Sequence, residues 1–245
     1  MILSVANNTD KKTRRVTAVI VAAGTGQRMG GVEKPLIKLG KNTVFSLVLD
    51  AFEKSETVSD MVIVCRDSTR MIPIAENYKS KPIKFTLGGK TRTESVLNGV
   101  LAAGNTDIVC IHDCARPFIT AENIDEVVNA VYETGASCAC KAVTDTIKYT
   151  DEKGEAQYTP NRDRLIAVQT PQVFRRDIYL VASAMGKKNK VTATDDTTLA
   201  EMAGFKVKYV NIGDNNDKLT TAEDIKRAKA MLFLQEREKK ENGAL

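Results

Sequence analysis

The sequence predicts an α/β fold built on a mainly parallel, doubly wound, Rossmann-like sheet with a protruding β-arm. Short apolar runs alternate with amphipathic segments along most of the 245 residues, which is the pattern of successive strand–helix–strand units. The chain is 42% hydrophobic and 27% charged, as expected of a globular protein with a buried core. The alternation is interrupted in residues 144–165, and this segment is the predicted arm.

The predicted strands are apolar runs, because strands of a parallel sheet are buried on both faces. They cover residues 16–22, 61–65, 83–87, 107–111, 137–143 and 206–212. Residue spacing and helix-end signals predict helices over 43–53, 68–77, 93–103, 120–135, 175–185, 194–203 and from 221 onward. Thr120 is an N-cap signal, Gly135 is a C-cap signal, and Thr221 with Asp224 predicts a capping box.

The predicted domain organisation is a basic extension over 1–15, one domain over 16–235 and a frayed tail over 236–245. The extension holds four cations and one carboxylate, within a net charge of +5 for the whole chain. Such a run is usually a solvated arm, so we expect no nucleic-acid partner. No apolar run approaches the roughly 20 residues of a membrane helix, so we expect no membrane partner.

The cysteines and the single histidine exclude several kinds of site. Five cysteines without a C-x-x-C pair, and no apolar signal segment, predict a cytoplasmic protein. Cys65, Cys110 and Cys138 lie in apolar runs and are predicted core residues. Because His112 is the only histidine, a structural zinc site and a catalytic triad are disfavoured. We expect His112 to be packed at a strand end.

The predicted arm has two strand-like runs, 147–150 and 156–159, on either side of a charged turn. It has few large aliphatic residues, so it cannot build much core of its own. We therefore expect it to lean on a second subunit, which predicts a homodimer formed through residues 144–165.

A glycine-rich loop follows the first predicted strand. The strand leads into Ala23-Gly24-Thr25-Gly26, and two cations, Arg28 and Lys34, come after it. Small residues let main-chain N–H groups approach phosphate, and cations suit its charge. The loop is neither a dinucleotide fingerprint, because Met29 stands at the third glycine position, nor a P-loop, because no Lys-Ser/Thr pair follows. The alternative is a tight strand-to-helix connection without a ligand.

Two further segments are predicted to lie at the same edge of the sheet, beyond the carboxyl ends of the strands. One is the Gly88-Gly89 turn, which leads to Ser95 in the first turn of a helix, where its hydroxyl could reach a base or sugar or could serve only the helix entry. The other is 112–117, where Asp113 and Arg116 stand. A carboxylate beside phosphates needs a cation between them, so Asp113 is a candidate Mg²⁺ ligand. A turn cap for Asp113 and a structural role for Arg116 stay open. Polar clusters at 194–196 and 216–220, which include Lys218, flank the last strand.

The motifs together resemble the 2-C-methyl-D-erythritol 4-phosphate cytidylyltransferase family of the non-mevalonate isoprenoid pathway. They run in family order from about residue 16 to 231 and read AAGTGQRMG with Lys34, GGKTRTESV, HDCARPF, DTIK, NRDRL followed by AVQTPQVF, TDDTTLAEMAGF and NNDKLTTAED. The resemblance implies an enzyme that transfers CMP from CTP to methylerythritol phosphate with Mg²⁺, as a homodimer. The alternatives are a ribitol-5-phosphate cytidylyltransferase and a non-catalytic nucleotide- or nucleic-acid-binding module.

The resemblance also implies roles for individual residues. Arg28 and Lys34 would stabilise the transition state, and Arg162 and Lys218 would hold the acceptor phosphate for attack. The implied nucleotide-binding residues are Ala22, Ala23, Gly24, Gly26, Gly89, Ser95 and Asp113. The implied acceptor-binding residues are Arg116, Thr146, Arg162, Thr170, Thr194 and Lys218, with Thr146 and Arg162 reaching a partner's site. The chain departs from the family at Glu33-Lys34-Pro35, where Pro-Lys-Gln is usual, and at Lys90, where an acidic residue is frequent.

Overall fold

The computed structural model describes residues 14–24, 26, 31–191 and 193–242. Strands and helices alternate through this part of the chain. The strands are β1 (Val16–Val21), β2 (Lys38–Leu39), β3 (Asn42–Thr43), β4 (Asp60–Cys65), β5 (Ile83–Leu87), β6 (Ile108–Asp113), β7 (Ala136–Ala142), β8 (Tyr149–Thr150), β9 (Ala156–Tyr158), β10 (Ile166–Arg175) and β11 (Lys208–Asn211). The helices are α1 (Val44–Lys54), α2 (Ile72–Ala75), α3 (Arg92–Ala102), α4 (Ala121–Thr134), α5 (Arg176–Lys188), α6 (Asp196–Met202) and α7 (Ala222–Asn242).

Seven strands form the main sheet in the order β11-β7-β10-β6-β1-β4-β5. Strands β6, β1, β4 and β5 are mutually parallel neighbours, and β11 is parallel to β7. Strand β10 lies antiparallel between β6 and β7, so the predicted mainly parallel sheet is confirmed with one reversed strand. The carboxyl ends of β6, β1, β4 and β5 therefore lie side by side at one edge.

Helices cover both faces of the sheet, as the doubly wound prediction requires. Alternate residues of β1 separate the two cores, with Ala18 and Ile20 on one side and Val19 on the other. The first core includes buried residues of α1 and α4, and the second includes buried residues of α3, α5 and α6. A central strand buried on both faces explains the continuous apolar run in the sequence.

The helix ends follow the predicted capping signals. Thr120 Oγ1 accepts from the Asn123 N–H, and Gly135 ends α4 in the left-handed region with φ 85°. The Thr221 N–H donates to Asp224 Oδ2 at 2.8 Å while Thr221 Oγ1 accepts from the Asp224 N–H at 3.2 Å. The reciprocal pair is the predicted capping box.

Several predicted boundaries differ from the structure, among them those of α2, β6 and α7. Helix α2 spans four residues instead of ten, and at its C-terminal end the Asn77 amide donates to the Pro73 and Ile74 carbonyls that a longer helix would use. Strand β6 continues to Asp113, two residues beyond its predicted end. Helix α7 runs to Asn242, so residues 236–242 are helical where a frayed tail was expected.

Two cations of the predicted extension contact the rest of the fold, Arg15 at the sheet and Arg14 at α4. Arg15 Nε lies 2.7 Å from Asp60 Oδ2, and the Arg15 N–H donates to Asp107 Oδ2 at 2.8 Å. Arg14 lies over the Tyr132 ring at 5.8 Å. The rest of the extension, residues 1–13, lies outside the described residues. In the described part of the chain, no helix is both long and apolar enough to cross a bilayer.

Candidate active site

A cavity of about 520 Å³ opens at the carboxyl edge of β6, β1, β4 and β5. It is formed by the segments that leave these strands, which is where parallel α/β sheets bind ligands. The predicted site residues in its wall are Ala22, Ala23, Gly24, Gly26, Lys34, Gly89, Ser95, Asp113 and Lys218. Side chains that were not assigned a role also line it, notably Arg66, Lys90 and Arg92.

The first glycine loop begins where β1 ends. The Ala22 N–H donates to the Val64 carbonyl at 2.7 Å, which ties the loop to β4. Gly26 has φ 61°, and a Cβ at this position would lie 2.2 Å from the Val32 carbonyl oxygen. Only glycine fits such a position without rearrangement of the loop. Arg28, predicted as a catalytic cation, lies outside the described residues.

Lys34 opens a short 3-10 helix, Lys34–Leu36, in which Pro35 is buried. Its Nζ donates to the Leu219 carbonyl at 2.9 Å. The preceding residue, Glu33, pairs with Arg70 at 2.6 Å on the exposed surface. Although Glu33-Lys34-Pro35 departs from the family pattern, Lys34 lies in the cavity wall.

The second glycine turn packs directly against the first loop. A Cβ on Gly88 would lie 2.5 Å from Ala23 Cβ, so the two segments approach as closely as glycine allows. Ser95 Oγ accepts from the Gly89 N–H at 3.0 Å and donates to the Thr91 carbonyl at 2.8 Å. The Ser95 hydroxyl therefore braces the turn at the position where contact with a base or sugar was expected.

Asp113 ends β6 at the cavity edge, paired in register with Val21 of β1. Its Oδ2 accepts from Lys218 Nζ at 2.5 Å, and its Oδ1 accepts from Arg92 Nε at 3.2 Å. Burial alone would raise the pKa of Asp113, but the Arg92 and Lys218 cations outweigh it and hold the pKa well below the usual range. Asp113 is therefore a carboxylate, not a carboxylic acid, at neutral pH.

The single histidine is packed beneath this edge, as predicted. His112 Nε2 faces the Arg116 carbonyl at 3.2 Å, and its Nδ1 lies 3.1 Å from Thr170 Oγ1. Thr170 Oγ1 also accepts from the Asp113 N–H at 3.1 Å. A carbonyl can only accept, so Nε2 carries the proton and the Thr170 hydroxyl donates to Nδ1. Burial lowers the pKa of His112 to about 4, which keeps the ring neutral.

Of the predicted acceptor residues, Lys218 lines the cavity and the other five do not. Thr170 is buried, and its hydroxyl holds the main chain at Asp113. Arg116 Nη1 donates to the Asn216 carbonyl at 2.7 Å, and Arg116 Nε has no hydrogen-bond partner among the described residues. Thr194 is exposed just before α6, while Thr146 and Arg162 are exposed on the arm. Arg162 Nη1 donates to the Thr144 carbonyl at 2.8 Å.

A buried amide network supports the acceptor side, and sequence reasoning assigned it no role. Gln172 Nε2 donates to Asp195 Oδ2 and to the Gln169 carbonyl, and its Oε1 accepts from the Asp196 N–H. Asn216 Nδ2 donates to Gln169 Oε1 and to the Thr170 carbonyl. The signal available in the sequence was the pair of glutamines in an otherwise apolar stretch, 166–174.

The residues present fit a single-carboxylate magnesium site. Of the described residues that line the cavity, Asp113 alone carries a carboxylate. Each of its oxygens accepts one bond from a cation and keeps a further lone pair. Mg²⁺ commonly takes one or two carboxylates together with substrate phosphates. No group of three His, Cys, Asp or Glu side chains in the described chain could hold a metal by itself, so a nucleotide would supply the remaining ligands.

The chain matches known proteins over most of its length. The family model for 2-C-methyl-D-erythritol 4-phosphate cytidylyltransferase (IspD) matches residues 16–234. The enzyme of that name from Desulforamulus reducens is 35% identical over 89% of this chain and 95% of its own length. The one from Alkaliphilus metalliredigens is 38% identical over 86% of this chain and 90% of its own length. The crystal structure of 4-diphosphocytidyl-2C-methyl-D-erythritol synthase from Anaerococcus prevotii superposes with a TM-score of 0.83 at 30% identity, covering 92% of this chain and 99% of that one.

Proposed function

Since the chain belongs to the 2-C-methyl-D-erythritol 4-phosphate cytidylyltransferase family, we propose that it transfers the cytidylyl group of CTP to that phosphate and releases pyrophosphate. It is a nucleotidyltransferase of non-mevalonate isoprenoid synthesis. The observation that carries the proposed chemistry is the meeting of Lys34, Asp113 and Lys218 around one cavity walled by two glycine turns. Small main-chain segments and fixed cations are what phosphoryl chemistry requires.

The proposed reaction is a direct in-line displacement. A phosphate oxygen of the acceptor attacks the α-phosphorus of CTP, a new P–O bond forms, and the bond from that phosphorus to the bridging oxygen breaks. The electron pair of the broken bond leaves on pyrophosphate. Lys34 would stabilise the charge that builds on the α-phosphate, and Lys218 would hold the acceptor phosphate. No general base is needed, because the attacking oxygen already carries negative charge.

Magnesium is the proposed cofactor, with Asp113 as its protein ligand. The ion would neutralise charge on the triphosphate and the departing pyrophosphate. The low pKa of Asp113, caused by Arg92 and Lys218 against the effect of burial, supplies a charged ligand at neutral pH. Arg28 is proposed to act with Lys34 on the polyphosphate, as the family pattern implies.

The proposed assembly is a homodimer through residues 144–165. The β8–β9 hairpin pairs two residues with three, and its Tyr149 and Tyr158 rings stack at 5.0 Å while each remains more than half exposed. A hairpin of this size is marginal without further packing. Ile147, Ile166 and Val168 are also exposed near the base of the arm. A second subunit would cover these apolar side chains and receive Thr146 and Arg162 beside its own cavity.

The acceptor is tested by incubating the protein with CTP, Mg²⁺ and either methylerythritol phosphate or ribitol 5-phosphate while pyrophosphate is measured. We expect turnover with methylerythritol phosphate. A preference for ribitol 5-phosphate would show that the proposed acceptor is wrong, although the reaction would still be cytidylyl transfer. Deletion of residues 1–13, which keeps the contacts of Arg14 and Arg15, is expected to leave the rate unchanged. Loss of function on that deletion, with no pyrophosphate from either acceptor, would favour the nucleic-acid-binding alternative.

The shared site is tested by mixing two inactive variants, Lys34→Ala and Arg162→Ala. If Arg162 acts across the dimer, each mixed dimer contains one intact site, and roughly a quarter of wild-type activity returns on random exchange. If Arg162 acts within its own chain, no site is repaired and the mixture stays inactive. Sedimentation analysis of Tyr149→Ser/Tyr158→Ser checks the interface separately, with a shift from dimer to monomer as the expected result.

The proposed location is the cytoplasm. All five cysteines are unpaired and buried, and free thiols persist in reducing compartments. Localisation of a tagged full-length chain by fractionation would check this assignment.

A further inference from the structure

Four side chains of alternating charge connect the protein interior to the cavity. Asp196 Oδ2 accepts from Arg92 Nη1 at 2.8 Å, and Arg92 Nε donates to Asp113 Oδ1. Lys218 Nζ donates to the other oxygen of Asp113. Asp196 is not among the residues that line the cavity, whereas Arg92, Asp113 and Lys218 are. The series therefore begins outside the reacting region and ends within it.

The buried end of this series, Asp196, is fixed in the fold. Asp196 is 1% exposed and is the first residue of α6. Its main-chain N–H donates to Gln172 Oε1 on β10 at 2.9 Å. Burial raises the pKa of the Asp196 carboxyl, and the Arg92 cation opposes this. A buried carboxylate of this kind depends on its partner for its charge, since water cannot hydrate it.

The geometry requires an arginine. Arg92 uses two different nitrogens, Nε for Asp113 and Nη1 for Asp196, so a single planar group bridges two carboxylates. Burial opposes the charge on Arg92, but the two carboxylates outweigh this effect and raise its pKa above the ordinary value. A lysine ammonium at this position keeps the charge but lacks the rigid fork that spans both partners.

We propose that Arg92 is a positioning residue for cytidylyl transfer, which holds the Asp113 carboxylate and thereby the Lys218 ammonium in place by its bond to buried Asp196. This inference rests on the proposed function, in which Asp113 and Lys218 meet the substrates. Arg92 opens α3, directly after the second glycine turn, while Lys218 belongs to the loop before α7. The series thus sets the distance between the nucleotide side and the acceptor side of one cavity.

The test compares Arg92→Lys, Asp196→Asn and the double variant in steady-state kinetics and in calorimetric binding of methylerythritol phosphate without metal. We expect each single variant to lower kcat about tenfold or more, as displaced supporting groups do, and to weaken binding of the acceptor phosphate. The double variant is expected to lose little more than either single one, because both break the same series. Arg175→Lys is the matched control, since Arg175 makes a bidentate pair with Asp177 away from the cavity.

Three outcomes would overturn the inference. If Asp196→Asn keeps wild-type kcat and binding while Arg92→Lys loses them, Arg92 acts without its anchor. If both variants lower the melting temperature but keep wild-type kcat and acceptor binding, the series only stabilises the fold. If the two losses multiply in the double variant, the residues act independently. Should Asp196→Asn fail to fold, Asp196→Glu displaces the carboxylate by one methylene and gives the same comparison. Wild-type turnover in the same assay tests the proposed function separately.

Discussion

The Nζ atom of Lys34 donates a hydrogen bond to the main-chain carbonyl of Leu219, 2.9 Å away in space and 185 positions away in sequence. Leu219 directly follows Lys218, whose ammonium binds Asp113. The glycine-loop lysine and the acceptor-side lysine are thus attached to the same short segment. The position of Lys34 therefore depends on the segment that carries Lys218, as well as on the glycine loop.

Replacement of Lys34 is expected to abolish most catalysis. Lys34→Ala removes a cation from the cavity wall, and we expect a loss of about two or more orders of magnitude in kcat, as for other groups that stabilise developing charge. Pyrophosphate release under saturating CTP measures the effect. Lys38→Ala, at a nearby exposed lysine that is not in the cavity wall, is the control. A Lys34→Ala rate within a few fold of wild type would exclude the proposed role.

A methyl group on the second glycine turn is expected to impair nucleotide binding. In Gly88→Ala the new Cβ would lie 2.5 Å from Ala23 Cβ and 3.1 Å from Ser95 Oγ, so the two cavity walls must separate. We expect KM for CTP to rise about tenfold, since shifts on the ångström scale commonly have effects of this size or larger. Kinetics over a CTP series measure this.

Gly99→Ala is the matched comparison for that variant. Its Cβ would lie 2.4 Å from Val19 Cγ1 and 2.6 Å from Val64 Cγ2, where α3 packs on the sheet. Overpacking of a core costs about 1–3 kcal/mol, so this variant should lower the melting temperature. If Gly88→Ala and Gly99→Ala changed KM for CTP and melting temperature to the same extent, the close approach at Gly88 would have no particular role in nucleotide binding.

The buried ring of His112 is expected to make the protein less stable at acidic pH. Burial lowers the pKa of His112 to about 4 in the folded protein, against about 6.5 in an unfolded chain. The unfolded state therefore binds the proton first, and stability falls as pH decreases from about 6.5 to 4. The slope from this group approaches about 1.4 kcal/mol per pH unit. Urea unfolding from pH 7 to 4 measures it, and His112→Gln should remove this contribution. An unchanged slope in the variant would contradict the assignment.

Asp125 joins the segment after α1 to α4 and is expected to matter for stability and not for catalysis. Its carboxylate accepts from Ser55 Oγ at 2.5 Å, Thr57 Oγ1 at 2.6 Å and the main-chain N–H groups of Glu56 and Thr57. Burial opposes the charge, but these donors outweigh it and lower the pKa of Asp125. Its contribution is therefore complete above an unfolded pKa of about 3.9 and is lost as pH falls through the lower folded value.

Asp125→Asn tests this second contribution. The amide NH2 group of asparagine cannot accept the hydrogen bonds that a carboxylate oxygen accepts. We therefore expect the free energy of unfolding to fall by about 1–3 kcal/mol at pH 7, with unchanged kcat. Thermal and urea unfolding measure the loss. Asp214→Asn, in the exposed loop after β11, is the control for carboxylate removal at the surface. Equal stability of Asp125→Asn and wild type would show that these hydrogen bonds contribute nothing net.

The elements of the fold were predicted because their signals are local. The β1 run is apolar apart from Thr17, since both faces of the strand are buried. Thr120 begins α4 through its side-chain cap, and Gly135 ends it through its left-handed conformation. The error at α2 arose where a side chain, Asn77, competes for helix carbonyls. The reversal of β10 was not predicted, because strand order depends on pairing between distant segments such as Phe174 with Val109.

At the site, the glycine turns, the residues after each strand and the family could be predicted from residue type and spacing alone. The contacts between the charged residues could not, because they join segments that are far apart in the chain. Asp113 meets Lys218 across 105 positions, and Arg92 meets Asp196 across 104. Coulombic attraction and hydrogen bonds act through space and strengthen on burial, so their partners follow from the order of strands in the sheet and not from the order of residues in the chain.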